Sequence, residues 1–216
     1  MNKLHHPISP IFIFLATTFI SFQNMAQEIP YDSLSERLVE LYDLDQAKRM
    51  KLFTNQVSEE EKPGFLKKLI EQDALNQREV IQILDTYGWL PLSAVGEKAA
   101  TSLFLVIQHA DVAIMEKYYP LIKVQAEQQE ANPMYVAMMQ DRILMYQGKR
   151  QIYGSQASSR PSSNNKGKES FIWPIEDPDG VNERRKAVGF PMTVEENADR
   201  LGAIFNPEEP LPPKDK

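Results

Sequence analysis

The sequence predicts a mainly α domain, an orthogonal multi-helix fold with a small two-stranded β-hairpin near its C-terminal third. Three observations predict it. Leu34, Leu38, Leu41, Asp45, Lys48 and Leu52 recur at helical steps, and several later stretches repeat that spacing. Helix start signals punctuate those stretches, among them Asn132-Pro133 and the Thr193/Glu196 pair. The β-like runs are short: Gln151-Ile152-Tyr153 and Phe171-Ile172-Trp173, which would pair as the hairpin.

The first 26 residues read as a secretory signal. Lys3 supplies the positive charge, Ile11 to Phe22 the apolar stretch, and Ala26 a small residue before the cut. A dozen apolar residues fall short of the ~20 that span a bilayer, so no stable membrane insertion is expected after cleavage. Removing 26 of 216 residues leaves 190, enough for one domain with its own core. The expected organisation is a signal at 1–26, a single helical domain at 27–205 with a flexible loop at 157–169, and a disordered Pro-rich tail at 206–216. The expected location is outside the cytoplasm, periplasmic or secreted.

Composition excludes several classes of function. The chain has no cysteine, which removes disulfides, a thiol nucleophile and thiolate metal sites. Its 24 basic residues face 30 acidic ones. Loss of Lys3 with the signal takes the net charge from −6 to −7. An acidic chain without a basic run is a poor partner for nucleic acid or anionic lipid. There is no G-x-S-x-G, no phosphate-binding glycine loop and no dinucleotide fingerprint. Neither H-E-x-x-H nor E-x-x-H spacing occurs, so neither a metal nor any other cofactor is expected.

Taken in order, the first helix opens with a capping box at Ser33 and Glu36. Residues 59 to 87 are expected to form two helices, the second capped by Asn76 with Glu79. Tyr87-Gly88-Trp89-Leu90-Pro91 is a turn, and an apolar helix follows from about Glu97 to His109. Asp111 caps the next helix, which must kink or restart at Pro120. A helix from Pro133 stops near Gly148. Short helices near Val181–Ala187 and after Thr193 complete the domain.

The informative feature is polar side chains on inward-facing stripes. Asp45 follows Leu38 and Leu41, and Asp141 stands in line with Met134, Met138 and Met145. Asp73 continues the face of Leu66 and Leu69, or else caps the helix after it. A buried carboxylate must find donors, a cation or a proton. Arg49, four residues after Asp45, reaches it along the helix. Arg142 is adjacent to Asp141 and so points away from it. Asp141 therefore needs a partner from elsewhere, among Arg49, His109, Gln151, Tyr153 and Arg184 or Arg185. His109, the only histidine after the signal, is suited to moving a proton and equally to binding carbonyls at a helix end.

One succession of residues carries a resemblance. Asp45-Gln46 with Arg49, Asp73 with Asn76, Tyr87-Gly88-Trp89, Val95-Gly96, Gln108-His109-Ala110-Asp111, Asp141-Arg142, Gly148, Gln151, Tyr153-Gly154-Ser155-Gln156 and Arg185 with Val188-Gly189 resemble a bacterial domain-of-unknown-function family, the one numbered 6624. The likeness runs from about Leu41 to Phe190. Two departures stand out: Leu90 intervenes before Pro91, and Ser155 takes a position where the family more often has Thr. The resemblance implies no activity, but its motif residues coincide with the misplaced polar ones.

The expectation is one partly buried polar pocket gathering Asp45, Arg49, His109, Asp141, Arg142, Gln151 and Tyr153 near the hairpin. Arg49 and Arg142 would hold an anionic group of a small polar molecule or peptide, and Gln151 and Gln156 would orient it. The alternative is a metal-independent hydrolase or lyase with His109 as general base and Asp141 as its partner. A third reading makes the network purely structural. Whether the chain is an enzyme, and its oligomeric state, the sequence leaves open.

Overall fold

Helix α1, Tyr31–Phe53, buries Leu38, Leu41 and Asp45 along the predicted row. It lies across α4, Glu97–Gln108, whose apolar run buries Leu103, Phe104, Val106 and Ile107. The computed structural model describes residues 28–162 and 167–213. The expected export signal lies outside them.

A single helix, α2, Lys62–Tyr87, replaces the two helices expected between 59 and 87. Asn76 was expected to cap a second helix. Instead it is buried inside the first, its Oδ1 accepting from Gln72 Nε2 at 2.9 Å. Asp73 likewise meets a partner on α1, so neither residue is left to break the helix. The Ser33 capping box is not formed. Pro30 holds the N-cap position of α1, and Ser33 Oγ donates to the Pro30 carbonyl.

The turn at Gly88, with φ +74°, ends α2. A short α3, Leu92–Val95, leads into α4. Helix α5, Val112–Glu127, runs through Pro120 without a restart. Proline there removes one backbone bond. Met115 and Tyr118 before it and Ile122 after it all pack into the core, which holds the helix together across the gap. Asp111 sits at its N-cap without a side-chain bond. Helix α6, Pro133–Tyr146, starts as predicted, with the Asn132 side chain accepting from the Met134 amide.

The sheet differs from the predicted two-stranded hairpin. It has three strands, β1 Ala157–Pro161, β2 Lys168–Ile172 and β3 Ala203–Ile204, in the order β1-β2-β3. β1 and β2 are antiparallel, with Ala157 opposite Ile172, and β3 joins β2 in parallel. The segment expected as a flexible loop at 157–169 thus supplies β1 and the start of β2. Gln151 does not pair in that hairpin; it makes an isolated bridge to Ile175. Its place is taken by Ser158 and Ser159, which face Phe171 and Ser170 across the ladder.

Helices α7, Val181–Ala187, and α8, Val194–Leu201, close the domain around a small core of Ile172, Ile175, Val181, Val194 and Ala198. The Thr193/Glu196 capping box of α8 is fully formed. The segment after Asn206, expected to be disordered, packs against the sheet as far as it is described. Glu209 is buried there and is held by the guanidinium of Arg160. Among the described residues no helix is long and apolar enough to cross a membrane.

Candidate functional site

Asp45 is the centre of the first polar group, only 2 % exposed on the inner face of α1. Its carboxylate accepts from Gln46 Nε2 at 2.6 Å and from Arg49 Nε at 3.2 Å. Arg49 is shared, since its Nη2 donates to Asp73 Oδ2 on α2 at 2.8 Å. One guanidinium therefore bridges two carboxylates from two helices, the geometry in which arginine exceeds lysine. Across from them His109, the residue that ends α4, brings Nδ1 to 3.4 Å from Asp45 Oδ1. Nδ1 has no partner of hydrogen-bonding geometry among the described residues.

Burial pushes the Asp45 carboxyl up. His109 and Arg49, with the Gln46 amide, outweigh that and hold it below the usual carboxylate value. The backbone carbonyl of His109 accepts from Gln77 Nε2 on α2 at 3.2 Å, which fixes the end of α4 over this group.

The second group is built on α6. Arg142 points away from Asp141, as adjacent helical residues must. Its Nε donates to Gln156 Oε1 and its Nη1 to the Gln108 carbonyl, both at 2.9 Å. No carboxylate lies within 4 Å of it among the described residues. Burial lowers its affinity for a proton, and the charge of nearby Arg49 lowers it further. The two cationic groups thus face a common region, joined through Gln108 and its neighbour His109.

Asp141 was expected in the same pocket, as a partner of His109. The structure gives it another task. Its fully buried carboxylate accepts the amides of Ile152, Tyr153 and Ser155 at 2.8 to 3.2 Å, and the Ser155 hydroxyl at 2.8 Å. The carboxylate thereby fastens the loop that follows α6. Burial pushes this carboxyl up, against the pull of those four donors. The sequence places Asp141 indoors, but the donors it finds are backbone amides, which no side-chain inventory reveals.

Gln151 is also structural. Its amide nitrogen donates to the carbonyls of Gln156 and Trp173, and its oxygen accepts the Gln156 amide at 2.9 Å. Tyr153 is half-buried, with its ring 6.2 Å from Phe190. Its carbonyl accepts from Arg185 Nη1 at 2.8 Å. Buried Arg185, stacked at 4.3 Å on Phe190, holds this loop from the far side.

The two groups still form one path. Gln156 Nε2 donates to Ser155 Oγ, which donates to Asp141, while Gln156 Oε1 receives Arg142. The path runs Asp141, Ser155, Gln156, Arg142, Gln108, then His109, Asp45, Arg49 and Asp73. Two buried atoms along it lack partners among the described residues, Asp73 Oδ1 and Gln108 Oε1, as do Asn76 Nδ2 and Ser102 Oγ off the path. Buried polar atoms are ordinarily satisfied, so these are places for water or a ligand group. Among the described residues no three His, Asp or Glu side chains gather as a metal would require.

Gly154 shows how tightly the loop is fitted. Its φ is +65°, and a Cβ there would come within 2.7 Å of Val194 Cγ2 and 2.8 Å of Ile175 Cδ1. Gly154→Ala should therefore cost about 2 kcal/mol or more, combining left-handed strain with overpacking. Urea unfolding midpoints check this, and an unchanged midpoint would mean the loop yields freely.

Comparison with curated proteins and with solved structures finds no match. A family model does match, over residues 32–204, a span that contains every residue of the path just described. On that match the chain belongs to the family of unknown function DUF6624.

Proposed function

We propose that this chain binds a small anionic molecule, or the acidic end of a peptide, in the cell envelope. The region between α1, the end of α4 and α6 is the binding place. The observation that carries this reading is Arg142, a largely buried guanidinium with no carboxylate to neutralise it among the described residues. Removing a charge from water without a counter-ion is costly. A bound carboxylate or phosphate offsets that cost. Arg142 Nη2 and Arg49 Nη1 carry no hydrogen bond to a described residue. His109 Nε2 is equally uncommitted on a side chain 19 % exposed. Gln156 sets the plane of the Arg142 fork, and Asp45 and Asp73 set that of Arg49.

Calorimetric titration with succinate, inorganic phosphate and an acidic dipeptide tests this. At least one should bind, and Arg142→Gln should weaken it by about tenfold or more, the loss of roughly one charge-assisted contact. Arg142→Lys should recover part of the affinity. Equal affinity in wild type and Arg142→Gln defeats the reading.

A second reading has its own observation. Asp45 lies 3.4 Å from Nδ1 of His109 and leaves Nε2 uncommitted among the described residues, so that a small turn of the ring would let the carboxylate orient the imidazole for base catalysis. Asp45, rather than Asp141, is then the partner of His109. Nε2 would take the proton of a water attacking the bound ligand and return it to the leaving group. His109→Gln separates the readings. Turnover of a bound ester or phosphoester vanishes with binding retained if His109 is the base. Binding alone, with no turnover to lose, favours recognition.

A further inference from the structure

A cavity lies away from the polar path, where α3 and α4 meet α5 and the start of α6. It encloses about 120 Å3 and is lined by Trp89, Leu92, Ala100, Ile122, Ala131 and Tyr135, with Thr101, Asn132 and Glu97 toward its rim. From this geometry we infer a binding site for a neutral, single-ring molecule carrying one hydrogen-bond acceptor.

Size is the first reason. Apolar cavities of roughly 150 Å3 stay dry and admit benzene, so this one suits a single ring and little more. The second reason is rigidity. The Tyr135 ring is stacked on Phe104 at 4.2 Å with an interplanar angle of 2°. Its hydroxyl lies 3.3 Å from Thr101 Oγ1. Both ends of this wall are therefore fixed before anything binds, which lowers the entropy cost of association. The floor is tied as well: Glu130 accepts from the Ser93 amide and hydroxyl at 2.8 Å, and its carbonyl accepts the Leu92 amide at 2.9 Å.

The third reason is a donor. Trp89 is 4 % exposed, and its indole N–H meets no acceptor among the described residues. That N–H is not one of the buried atoms left without a partner, so it opens on accessible space where the guest can meet it. An ether, phenol or carbonyl oxygen on the guest supplies one. Charge sets the remaining condition. Glu97, exposed at the rim, disfavours an anionic guest.

Phenol is the probe, with benzene and benzoate as comparisons, titrated into the full chain carrying nitrogen-15. The chain has two tryptophans, and Trp173 donates its indole N–H to the Lys149 carbonyl, so it serves as an internal control. The Trp89 indole signal should shift saturably with phenol while that of Trp173 stays. Benzoate should bind about tenfold more weakly, and Glu97→Gln should narrow that gap. Ala100→Leu, which fills the cavity, should abolish the shift. Ring-to-methyl Overhauser contacts with Ala131 and Ile122 place the guest without any variant. A Trp89 signal that phenol does not saturably move overturns the inference. So does an Ala100→Leu chain, folded by its spectrum, that responds like wild type.

Discussion

Asp141→Asn should lower the stability of the folded chain by about 3 kcal/mol while leaving its secondary structure in place. The carboxylate sits among donors only: three backbone amides and one hydroxyl. An amide side chain keeps one acceptor oxygen and turns an NH2 group toward the remaining donors. Each buried donor left unmatched costs about 1–3 kcal/mol, and two face the new nitrogen whichever way the amide is turned. Relaxation of the loop is restricted, because Gly154 is pressed against Val194 and Ile175 and Arg185 holds the Tyr153 carbonyl. Urea midpoints give the size of the loss. Hydrogen exchange gives its place, since the amides of Ile152, Tyr153 and Ser155 should exchange faster than those of α4. A variant as stable as wild type would mean the loop is not fastened by Asp141 at all. Ligand affinity should fall through Gln156, which reaches Arg142 from the same loop.

That result bears on what could be read from residues alone. Helical phase placed Asp45 and Asp141 indoors, and both are among the most buried polar residues described. Phase also sent Arg142 away from Asp141. What phase does not supply is the partner. The i to i+4 contact from Arg49 to Asp45 is local and was legible. The contacts from Arg49 to Asp73 and from His109 to Asp45 span 24 and 64 residues, and no pattern in one chain encodes them. The same division holds for the fold. Capping at Asn132 and Thr193 is a short-range matter and was read correctly. Asn76 carries a start signal that burial overrides: inside α2 its Oδ1 accepts from Gln72, one turn before it, instead of capping a new helix. β1 was missed for a related reason. Its sequence, Ala-Ser-Ser-Arg-Pro, has little β propensity. Pairing with β2 and the stacking of Arg160 on Phe171 at 4.5 Å make it a strand.

Asp45→Asn should cost about 3 kcal/mol near neutral pH, and that cost should shrink in acid. Breaking a buried ion pair from one side leaves the other charge uncompensated, at about 3–5 kcal/mol. Here Arg49 keeps Asp73, so the lower end of that range applies. The pH dependence follows from the direction of the shift. The Asp45 carboxyl is held below its ordinary value of 3.8 in the folded chain. Its contribution is then fully present above 3.8 and is lost as pH falls through the lower folded value, where the native carboxylate finally takes up a proton. Asparagine cannot titrate, so the gap between wild type and variant should be constant well above 3.8, shrink as pH falls from there, and close below the folded value. Asp141, whose carboxyl burial pushes upward, contributes in the opposite sense, but it is present in both chains and cancels in the difference. Urea midpoints of the two proteins, followed from neutral to acid pH, provide the measurement. Curves that stay parallel throughout would mean Asp45 titrates alike in the folded and unfolded chains. In that case neither Arg49 nor His109 acts on its charge, and His109 loses the group that would orient it toward a ligand.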